Sequence, residues 1–446
     1  MKHKTYTEMS EPKRIGRRIF VRKVAVGTGA AMALPYIIPS SAMGRDGKVA
    51  PSDRIVMGLI GAGSQGTGDM HNFMSKPEVQ MVAACDVDKT HRDAIKAAID
   101  GKYGTSDART YSDYREFLAN EKPDAVILAL PDQWHAIIAI ACANAKLDIY
   151  GEKPLSRTIW EGKKIVEAVE KNGVIWQTGS WQRSEAHFHR ACELVINGRI
   201  GKVRFVEVGL PNGNPATISH PVQPVPEGLD WDMWLGPAPS VPYRGVCHWD
   251  WRWILDYSGG QLTDWAGHHI DIAHWGLGLE RTGPVEVSGS GVFPREGIFD
   301  VPVEYSLHAT YANELVMYFA NERQLPHGMG VCWYGDNGWI HVDRGNRLFA
   351  SDPKILEEKI GDNETRLYVS NDHFQNLLDC VRSRKETITP CQVAHRSIST
   401  ALLGEIAMLT GRKIQWNPDT QEIIKDPVAS RLLRRPFRSP WKLEGN

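Results

Sequence analysis

One stretch near the start of the chain constrains the fold more than any other. An apolar run, residues 55–60, stops at three glycines with the spacing Gly-x-Gly-x-x-Gly. In such a pattern Gly61 permits a tight turn, Gly63 lets the backbone approach a pyrophosphate, and Gly66 lets a helix pack closely on a strand. The sequence therefore predicts a strand, a glycine turn and a helix that bind the phosphates of a nucleotide.

The residues that follow indicate which nucleotide. Ser64 and Gln65 occupy the expected helix start, where free N–H groups and the helix dipole attract phosphates. A second apolar run, Val79 to Cys85, ends at Asp86, twenty residues after Gly66. An acid at that place accepts hydrogen bonds from ribose hydroxyls and repels a 2′-phosphate. We therefore predict NAD rather than NADP as the cofactor.

The first 42 residues have the order of an export signal. Arg17 and Arg18 form a twin-arginine pair, a modest apolar stretch runs from Val24 to Ile38, and the small residues 40–42 follow. The apolar stretch is too short and too rich in Gly and Ala for a spanning helix, and no nearby cysteine offers a lipid anchor. We predict a twin-arginine signal peptide over residues 1–42 and a periplasmic or otherwise exported protein without a membrane anchor.

Charge and cysteine content exclude some classes of function. The formal net charge is −1, so no bulk attraction to nucleic acid or to an anionic membrane is expected. Residues 1–42 hold eight Lys and Arg against two Asp and Glu, which leaves a net charge of about −7 on the rest of the chain. The seven cysteines are scattered without a C-x-x-C pair, which argues against a disulfide framework.

Between Asp86 and Thr178 the apolar pattern alternates between helix and strand. The expected helices are Thr90–Ile99, Tyr111–Asn120 with Ser112 as its cap, and Trp160–Asn172, and the expected strands are Ala125–Leu130, Leu147–Tyr150 and Val174–Thr178. This alternation predicts an α/β fold, with a doubly wound parallel Rossmann sheet over residues 50–178. Ligands bind at the carboxyl ends of the strands of such a sheet.

Beyond Thr178 the pattern changes to alternating strands. Strands are expected over Val203–Leu210, Val285–Gly291, Val303–Tyr311, Leu315–Phe319 and Gly338–Val342, with helices over His187–Asn197 and His395–Leu409. We predict a second α/β domain over residues 179–415, with a large, mainly antiparallel open sheet, and a C-terminal tail over residues 416–446. The loop 211–257 is rich in Pro, Gly and Trp, and a loop of that length is usually functional.

Two motifs carry groups suited to acid–base chemistry. Glu152-Lys153-Pro154 follows an expected strand, beside the place expected for the nicotinamide, where a desolvated lysine can hold a substrate hydroxyl or exchange a proton. Asp264 and His268 are four residues apart, so on a helix they share one face. A carboxylate that orients an imidazole makes a general base. We predict Lys153, Asp264 and His268 as catalytic residues, with Glu152 and Lys153 also beside the cofactor.

The same residues have other interpretations. Lys153 could be a surface residue before a turn, Asp264 a helix cap and His268 a packed ring. Asp264, His268 and His269 could also hold a metal, but no third firm ligand is apparent, so no metal is predicted.

The loop 211–257 contains five tryptophans whose faces suit stacking on a sugar ring. They are Trp231, Trp234, Trp249, Trp251 and Trp253. Ordinary loop packing explains them nearly as well. Candidate substrate residues are His187, Trp251, Arg252 and His269.

Together these motifs resemble the Gfo/Idh/MocA oxidoreductases, which include glucose–fructose oxidoreductase and inositol dehydrogenase. The resemblance spans about residues 53–415. It rests on the glycine turn and on three further motifs: Pro131-x-x-x-His135, Glu152-Lys153-Pro154 and Gly-Gly-x-Leu-x-Asp264-x-x-x-His268-x-x-Asp271. It implies Pro131 and His135 beside NAD, His268 as the base, and a C-terminal sheet often used to form a dimer or tetramer.

Three functions are compatible with these residues. The first is an oxidoreductase that transfers a hydride between tightly held NAD and a ring hydroxyl of a sugar, glycoside or cyclitol. The second is an enzyme of the same fold that oxidises C3 of a glycoside transiently, eliminates the aglycone and returns the hydride. The third is a sugar-binding protein that retains NAD as a relic. The intact Lys153, Asp264 and His268 favour the first two.

Overall fold

The computed structural model describes residues 49–214 and 220–443, apart from the side chain of Pro51. The predicted signal peptide, residues 1–42, lies outside the described residues, and its assignment stays a prediction. From Asp53 onward the chain forms one compact unit. Within the described ranges, no helix has the length and apolar character needed to cross a membrane.

The first sheet has six strands, all parallel. The strands are β1 (Ile55–Ile60), β2 (Val79–Cys85), β3 (Arg109–Tyr111), β4 (Ala125–Leu128), β5 (Asp148–Gly151) and β6 (Trp176–Thr178). The helices between them are α1 (Ser64–Met74), α2 (Lys89–Tyr103), α3 (Tyr114–Asn120), α4 (Asp132–Asn144) and α5 (Ile159–Asn172). The order β3-β2-β1-β4-β5-β6 confirms the doubly wound sheet and reverses between β1 and β4. A crevice forms at that point, outside the carboxyl ends of both strands.

One predicted element of this sheet is wrong. Residues 111–120 were expected to be a single helix capped by Ser112, but Tyr111 ends strand β3, which pairs with β2. The helix begins only at Tyr114, and its cap is Asp113, whose side chain accepts a hydrogen bond from the Arg115 backbone N–H. The short edge strand has too few residues for its period to be visible in the sequence.

The second sheet has nine strands in the order β13-β12-β11-β7-β10-β9-β8-β14-β15. The strands are β7 (Val203–Leu210), β8 (Glu286–Val292), β9 (Glu304–Thr310), β10 (Val316–Asn321), β11 (Gly330–Gly335), β12 (Gly338–Asp343), β13 (Arg347–Ala350), β14 (Ile414–Asn417) and β15 (Glu422–Ile423). Only β7 and β10 pair in parallel among the described strands of this sheet. The predicted large, mainly antiparallel sheet is therefore confirmed.

Seven helices accompany this sheet in the described part of the chain. They are α6 (Ala186–Ile196), α7 (Trp231–Leu235), α8 (Gly260–Trp265), α9 (Asp271–Leu277), α10 (His373–Ser383), α11 (Cys391–Thr410) and α12 (Pro427–Arg431). A π-helical turn, Ala266–Ile270, joins α8 to α9. Short 3₁₀ turns occur at Pro51–Asp53, Trp181–Ser184, Asp250–Trp253, Glu322–Gln324 and Pro353–Glu357.

Several of these elements were not predicted. They include β11, β13 and α10, and the pair β14 and β15. β14 pairs with β8, so the first residues of the predicted tail continue the large sheet. The boundaries at residues 178 and 415, and the expected dimer or tetramer, stay predictions.

Buried ion pairs join segments that are far apart along the chain. Arg183 is 2% exposed and donates to Asp271 through Nε and Nη2, at 2.6 and 2.9 Å, and to Glu280 through Nη1 at 2.7 Å. Arg157 donates to Glu405 of α11 at 2.9 Å, and both side chains are buried. Burial removes water from these charged groups, and the oppositely charged partner offsets the cost of that desolvation.

Removal of Arg183 tests this packing. We expect Arg183→Met to lower the free energy of unfolding by about 3–5 kcal/mol, because Asp271 would remain buried without its partner. The matched control is Arg281→Met, whose pair with Glu386 is exposed and should contribute only about 0–1 kcal/mol. Urea unfolding of both variants measures the difference, and equal small losses would contradict the assignment.

Candidate active site

The glycine turn has the geometry that its spacing predicts. Gly61 has φ +94°, and an added Cβ would lie 2.1 Å from the carbonyl oxygen of Ala129. A Cβ on Gly66 would lie 2.0 Å from the Gly61 carbonyl oxygen. A Cβ on Gly63, in contrast, would meet nothing within 4 Å. Two glycines are therefore required by close backbone contacts, while the third borders open space into which a pyrophosphate fits.

The first turn of α1 leaves its backbone N–H groups available. Its N-cap is Gly63, which provides no side-chain cap, and α1 starts at Ser64. These N–H groups and the positive end of the helix dipole suit the phosphates of a dinucleotide. The side-chain amide of Gln65 donates to Asp69 at 3.1 Å and to Glu152 at 3.4 Å.

Asp86 is held at the carboxyl end of β2 by two backbone N–H groups. Its carboxylate accepts from Ala62 at 2.7 Å, through Oδ2, and from Asp88 at 2.8 Å, through Oδ1. The Nδ1 atom of His91 lies 3.4 Å from Oδ2, and this hydrogen bond raises the pKa of His91. The carboxylate is therefore fixed at the rim of the crevice, where a ribose would lie.

A cavity of about 320 Å³ occupies the crevice. Most of the residues predicted from the sequence line it. They are Gly61, Gly63, Ser64, Gln65, Gly66, Asp86, Pro131, Glu152, Lys153, Trp251, Arg252 and Asp264. His135, His187, His268 and His269 are not part of the lining.

Lys153 and Asp264 meet at one end of the cavity. Lys153 follows β5, and its Nζ donates to Oδ1 of Asp264, on α8, at 2.9 Å. Burial by itself would raise the pKa of Asp264, but the charges of Lys153 and Arg252 outweigh burial and lower it. The acid is therefore ionised, and it holds the lysine ammonium in place.

The predicted contact between Asp264 and His268 is wrong. The carboxylate hydrogen-bonds Lys153, and the Nδ1 atom of His268 is buried without any hydrogen-bond partner. The helix changes to a π turn between the two residues, so a spacing of four residues no longer places both side chains on one face. The His268 ring instead contacts Trp265 and Trp181, with centroids 5.4 and 6.2 Å away.

The environment of His268 keeps its ring neutral. Burial, followed by the charges of Lys153 and Arg344, lowers the pKa of His268 well below its usual value. A neutral imidazole can accept a proton. His268 therefore retains the property required of a base, although Asp264 does not orient it.

The other predicted histidines lie behind the walls of the crevice. His135 bridges two loops, since its Nδ1 is 2.6 Å from the Pro154 carbonyl oxygen and its Nε2 is 2.8 Å from that of Leu130. His187 contacts the Asp343 carbonyl oxygen through Nε2 at 3.0 Å. His269 is fully buried and stacks on Trp265. His135 therefore positions the loops, and the structure does not place His187 or His269 where a ligand in the cavity could contact them.

Most tryptophans of the 211–257 loop are packing residues. Trp234, Trp251 and Trp253 are buried, and Trp231 stacks on Trp234 at 4.8 Å. Only Trp249 of the five is mostly exposed. Ordinary packing thus accounts for much of this set, while Trp234 and Trp251 also line the cavity.

Two arginines near Asp264 lie against pairs of indoles. Arg252 contacts the rings of Trp249 and Trp251 at 4.5 and 4.4 Å, and its Nε is 3.9 Å from Oδ1 of Asp264. Arg344 contacts Trp181 and Trp265 in the same way. Sequence reasoning identified Arg252 but missed Arg344, since nothing in the sequence around the β12–β13 turn distinguishes this arginine from its neighbour Arg347.

One cluster with metal-ligand chemistry occurs among the described residues. Asp88, His91 and His248 each offer a ligand atom within 4.8 Å of the others, at the Asp86 end of the cavity. This cluster is separate from Asp264, His268 and His269, the residues that the sequence offered as an alternative metal-binding set. Asp88 already caps α2 through a hydrogen bond from the Thr90 backbone N–H.

Comparison with known families identifies the chain. Residues 55–180 match the family profile described as the NAD-binding Rossmann fold, and residues 215–443 match that of the C-terminal α/β domain. The chain belongs to the Gfo/Idh/MocA oxidoreductase family. It is an NAD-dependent oxidoreductase by this membership, and the open space beside Gly63 is consistent with the cofactor.

Individual relatives cover parts of the chain. It is 31% identical over 224 residues to myo-inositol 2-dehydrogenase of Thermotoga maritima, an alignment covering 50% of this chain and 55% of the relative. It is 29% identical over 169 residues to an alpha-N-acetylgalactosaminidase of Shewanella oneidensis, covering 36% of each. The WlbA dehydrogenase of Bordetella pertussis, crystallised with NADH and UDP-GlcNAcA, superposes with TM-score 0.61 and 18% identity, over 82% of this chain and 99% of that one. This last likeness shows the shared fold.

Two glycine variants test the cofactor site. Gly63→Ala should preserve the free energy of unfolding to within about 0.5 kcal/mol, because its Cβ meets open space, yet reduce the nucleotide that copurifies. Gly66→Ala should reduce the bound nucleotide and also cost about 1–3 kcal/mol of stability, because of its clash with Gly61. Urea unfolding and mass spectrometry of the nucleotide released on denaturation measure both effects. Full nucleotide content in Gly63→Ala would refute the placement of the pyrophosphate.

Proposed function

We propose that the protein oxidises or reduces a ring carbon of a sugar, glycoside or cyclitol. The observation that carries this proposal is the Lys153–Asp264 pair at the end of the nucleotide cavity, beside neutral His268. The similarity to an inositol dehydrogenase supports a polyhydroxylated ring as the substrate. When bound, NAD supplies the hydride acceptor.

Lys153, Asp264 and His268 each have a separate role in the proposed reaction. Lys153 donates a hydrogen bond to the reacting oxygen of the substrate, and Asp264 keeps its ammonium group in position. His268 takes the hydroxyl proton as the C–H bond loses its hydride and the C–O bond becomes a carbonyl. In the reverse direction His268 returns that proton. Burial lowers the pKa of His268, so at neutral pH its ring is uncharged and one ring nitrogen carries no proton.

A second candidate is redox-neutral cleavage of a glycoside. The similarity to an alpha-N-acetylgalactosaminidase favours it, and an exported enzyme without a supply of free nucleotide would benefit from a closed hydride cycle. Here the same three residues would move the protons, while bound NAD would accept the hydride from C3 and return it after the aglycone is eliminated and water adds in its place.

A single experiment separates the candidates. Protein purified without added cofactor is denatured to identify its nucleotide, and native protein is mixed with hexoses, cyclitols and aryl glycosides. Copurified NAD that a sugar reduces, without release of aglycone, is the result we expect for the oxidoreductase. Aglycone release without net reduction would establish the second candidate. His268→Ala should lower either rate by about 10²–10⁴-fold, the usual contribution of a general base, and unchanged turnover would exclude His268 as the base.

We also propose that the protein is exported by the twin-arginine route, as residues 17–23 suggest. The double variant Arg17→Lys, Arg18→Lys should remain in the cytoplasm, because this route reads the arginine pair and lysine does not replace it. Cell fractionation followed by immunoblotting measures the location. A matched control, Arg14→Lys with Arg22→Lys, should still be exported, and export of the first variant would contradict the proposal.

A further inference from the structure

Arg344 is a cation with two aromatic neighbours. It follows strand β12, and its Cζ lies 4.5 Å from the ring centroid of Trp181 and 4.3 Å from that of Trp265. Cation–π contacts and stacking of this kind restrict a guanidinium to one orientation. When indole rings occupy its faces, the group presents its hydrogen-bond donors along its edge.

The donors of Arg344 have no acceptor in the described chain. Its Nε is buried without a hydrogen-bond partner, and no side chain or carbonyl group among the described residues accepts from its other nitrogens. Glu185, Asp343 and Asp264 act on it through charge alone. Burial therefore dominates, and it lowers the pKa of this arginine.

Three other arginines with little exposed side-chain surface behave differently. Arg183 donates to Asp271, Arg157 to Glu405, and Arg435 to Glu161 at 2.8–3.0 Å. A partly buried guanidinium with unused donors is costly for a protein unless a ligand provides the acceptor. Arg344 thus has the features of a ligand-binding residue rather than of a structural one.

Arg344 does not line the nucleotide cavity itself, but it lies beside the candidate base. Trp265 directly follows Asp264 in the chain, and the rings of Trp265 and Trp181 both contact His268. The charge of Arg344 lowers the pKa of both Asp264 and His268. The guanidinium therefore lies on the His268 side of the Lys153–Asp264 pair.

The charge balance at this place favours an anion. Lys153, Arg252 and Arg344 all act on Asp264, while burial raises the pKa of its two neighbouring acids, Asp132 and Glu152. Of the acids near Arg344, Asp343 is already paired with Arg347, and burial raises the pKa of Glu185. Of these three cations, Arg344 is the one that forms no ion pair with an acid among the described residues.

We propose that Arg344 binds a carboxylate of the substrate, so that the preferred substrate is a sugar acid, a uronate or its glycoside, rather than a neutral sugar. This inference rests on the proposed function. A guanidinium has a planar, two-pronged edge that a carboxylate matches, and the two indoles against Arg344 leave its donors without a protein acceptor. Arg344 is a binding residue here and takes no part in proton transfer.

Matched substrate pairs test the inference. Holoprotein is assayed with glucose against glucuronate and with galactose against galacturonate. We expect kcat/KM to favour the uronate in at least one pair by about 10- to 100-fold, the range of a charge-assisted hydrogen bond. In Arg344→Met that preference should fall by the same factor, chiefly through KM, and Arg344→Lys should recover only part of it because lysine lacks the planar fork.

Two controls make the result decisive. Arg281→Met removes an exposed arginine whose pair with Glu386 lies in solvent, and it should retain the preference. The thermal midpoint of each variant shows whether it is folded. Equal kcat/KM for acid and neutral sugar in the wild type, an unchanged preference in Arg344→Met, or a stronger preference for hexose phosphates would each overturn the inference.

A binding measurement separates this inference from the proposed function. Trp181 and Trp265 flank Arg344, so quenching of tryptophan fluorescence by a uronate reports binding without turnover. Arg344-dependent uronate binding with no reduction of NAD by any sugar would support the inference while the proposed function fails. Turnover of neutral sugars with no Arg344-dependent uronate binding would support the function and overturn the inference.

Discussion

The ion pair between Lys153 and Asp264 is the constraint on which the rest of the site depends. Lys153 follows a strand of the parallel sheet, and Asp264 lies on a helix from the second part of the chain. Their side chains are 18% and 17% exposed, so solvent screens the pair only partly and loss of either partner would leave a charge uncompensated. Through this contact, Lys153 at the nucleotide crevice acts electrostatically on both Asp264 and His268, which lie on elements of the second part of the chain.

Two buried acids near the glycine turn form a second group of coupled charges. Asp69 and Glu152 are both buried near the glycine turn, and Gln65 bonds to both. Burial raises the pKa of each acid. A protonated acid there repels a pyrophosphate less than a carboxylate would. The packing is also tight, because a Cβ on Gly179 would lie 2.1 Å from Oε1 of Glu152.

The sequence predicted those features that depend on local spacing. The glycine turn, Asp86 at the end of β2 and the alternation of strands and helices all lie in the first sheet, where each signal spans a few residues. Long regular elements such as β7 were predicted with the observed bounds. Short edge strands such as β3 and β13 were missed because three or four residues reveal no period.

In the candidate site, too, local spacing in the sequence did not reveal which side chains come into contact. The sequence identified Lys153, Asp264 and His268, but it paired the wrong two, because it assumed regular helix geometry where the chain forms a π turn. It also had no means of detecting Arg344. The role proposed for Arg344 depends on its contacts with Trp181 and Trp265, which are 163 and 79 positions away in the chain.

By itself, the sequence determined that this protein has a dinucleotide crevice, since the glycine turn and Asp86 lie close together along the chain, and it supplied Lys153, Asp264 and His268 as candidates from two separate motifs. Only the tertiary structure decided which charges meet. It paired Lys153 with Asp264, left His268 without a carboxylate partner, and placed the unpaired guanidinium of Arg344 between two indoles. The physical reason is that burial and electrostatic interaction depend on distances in space, which separate segments acquire only when they pack together.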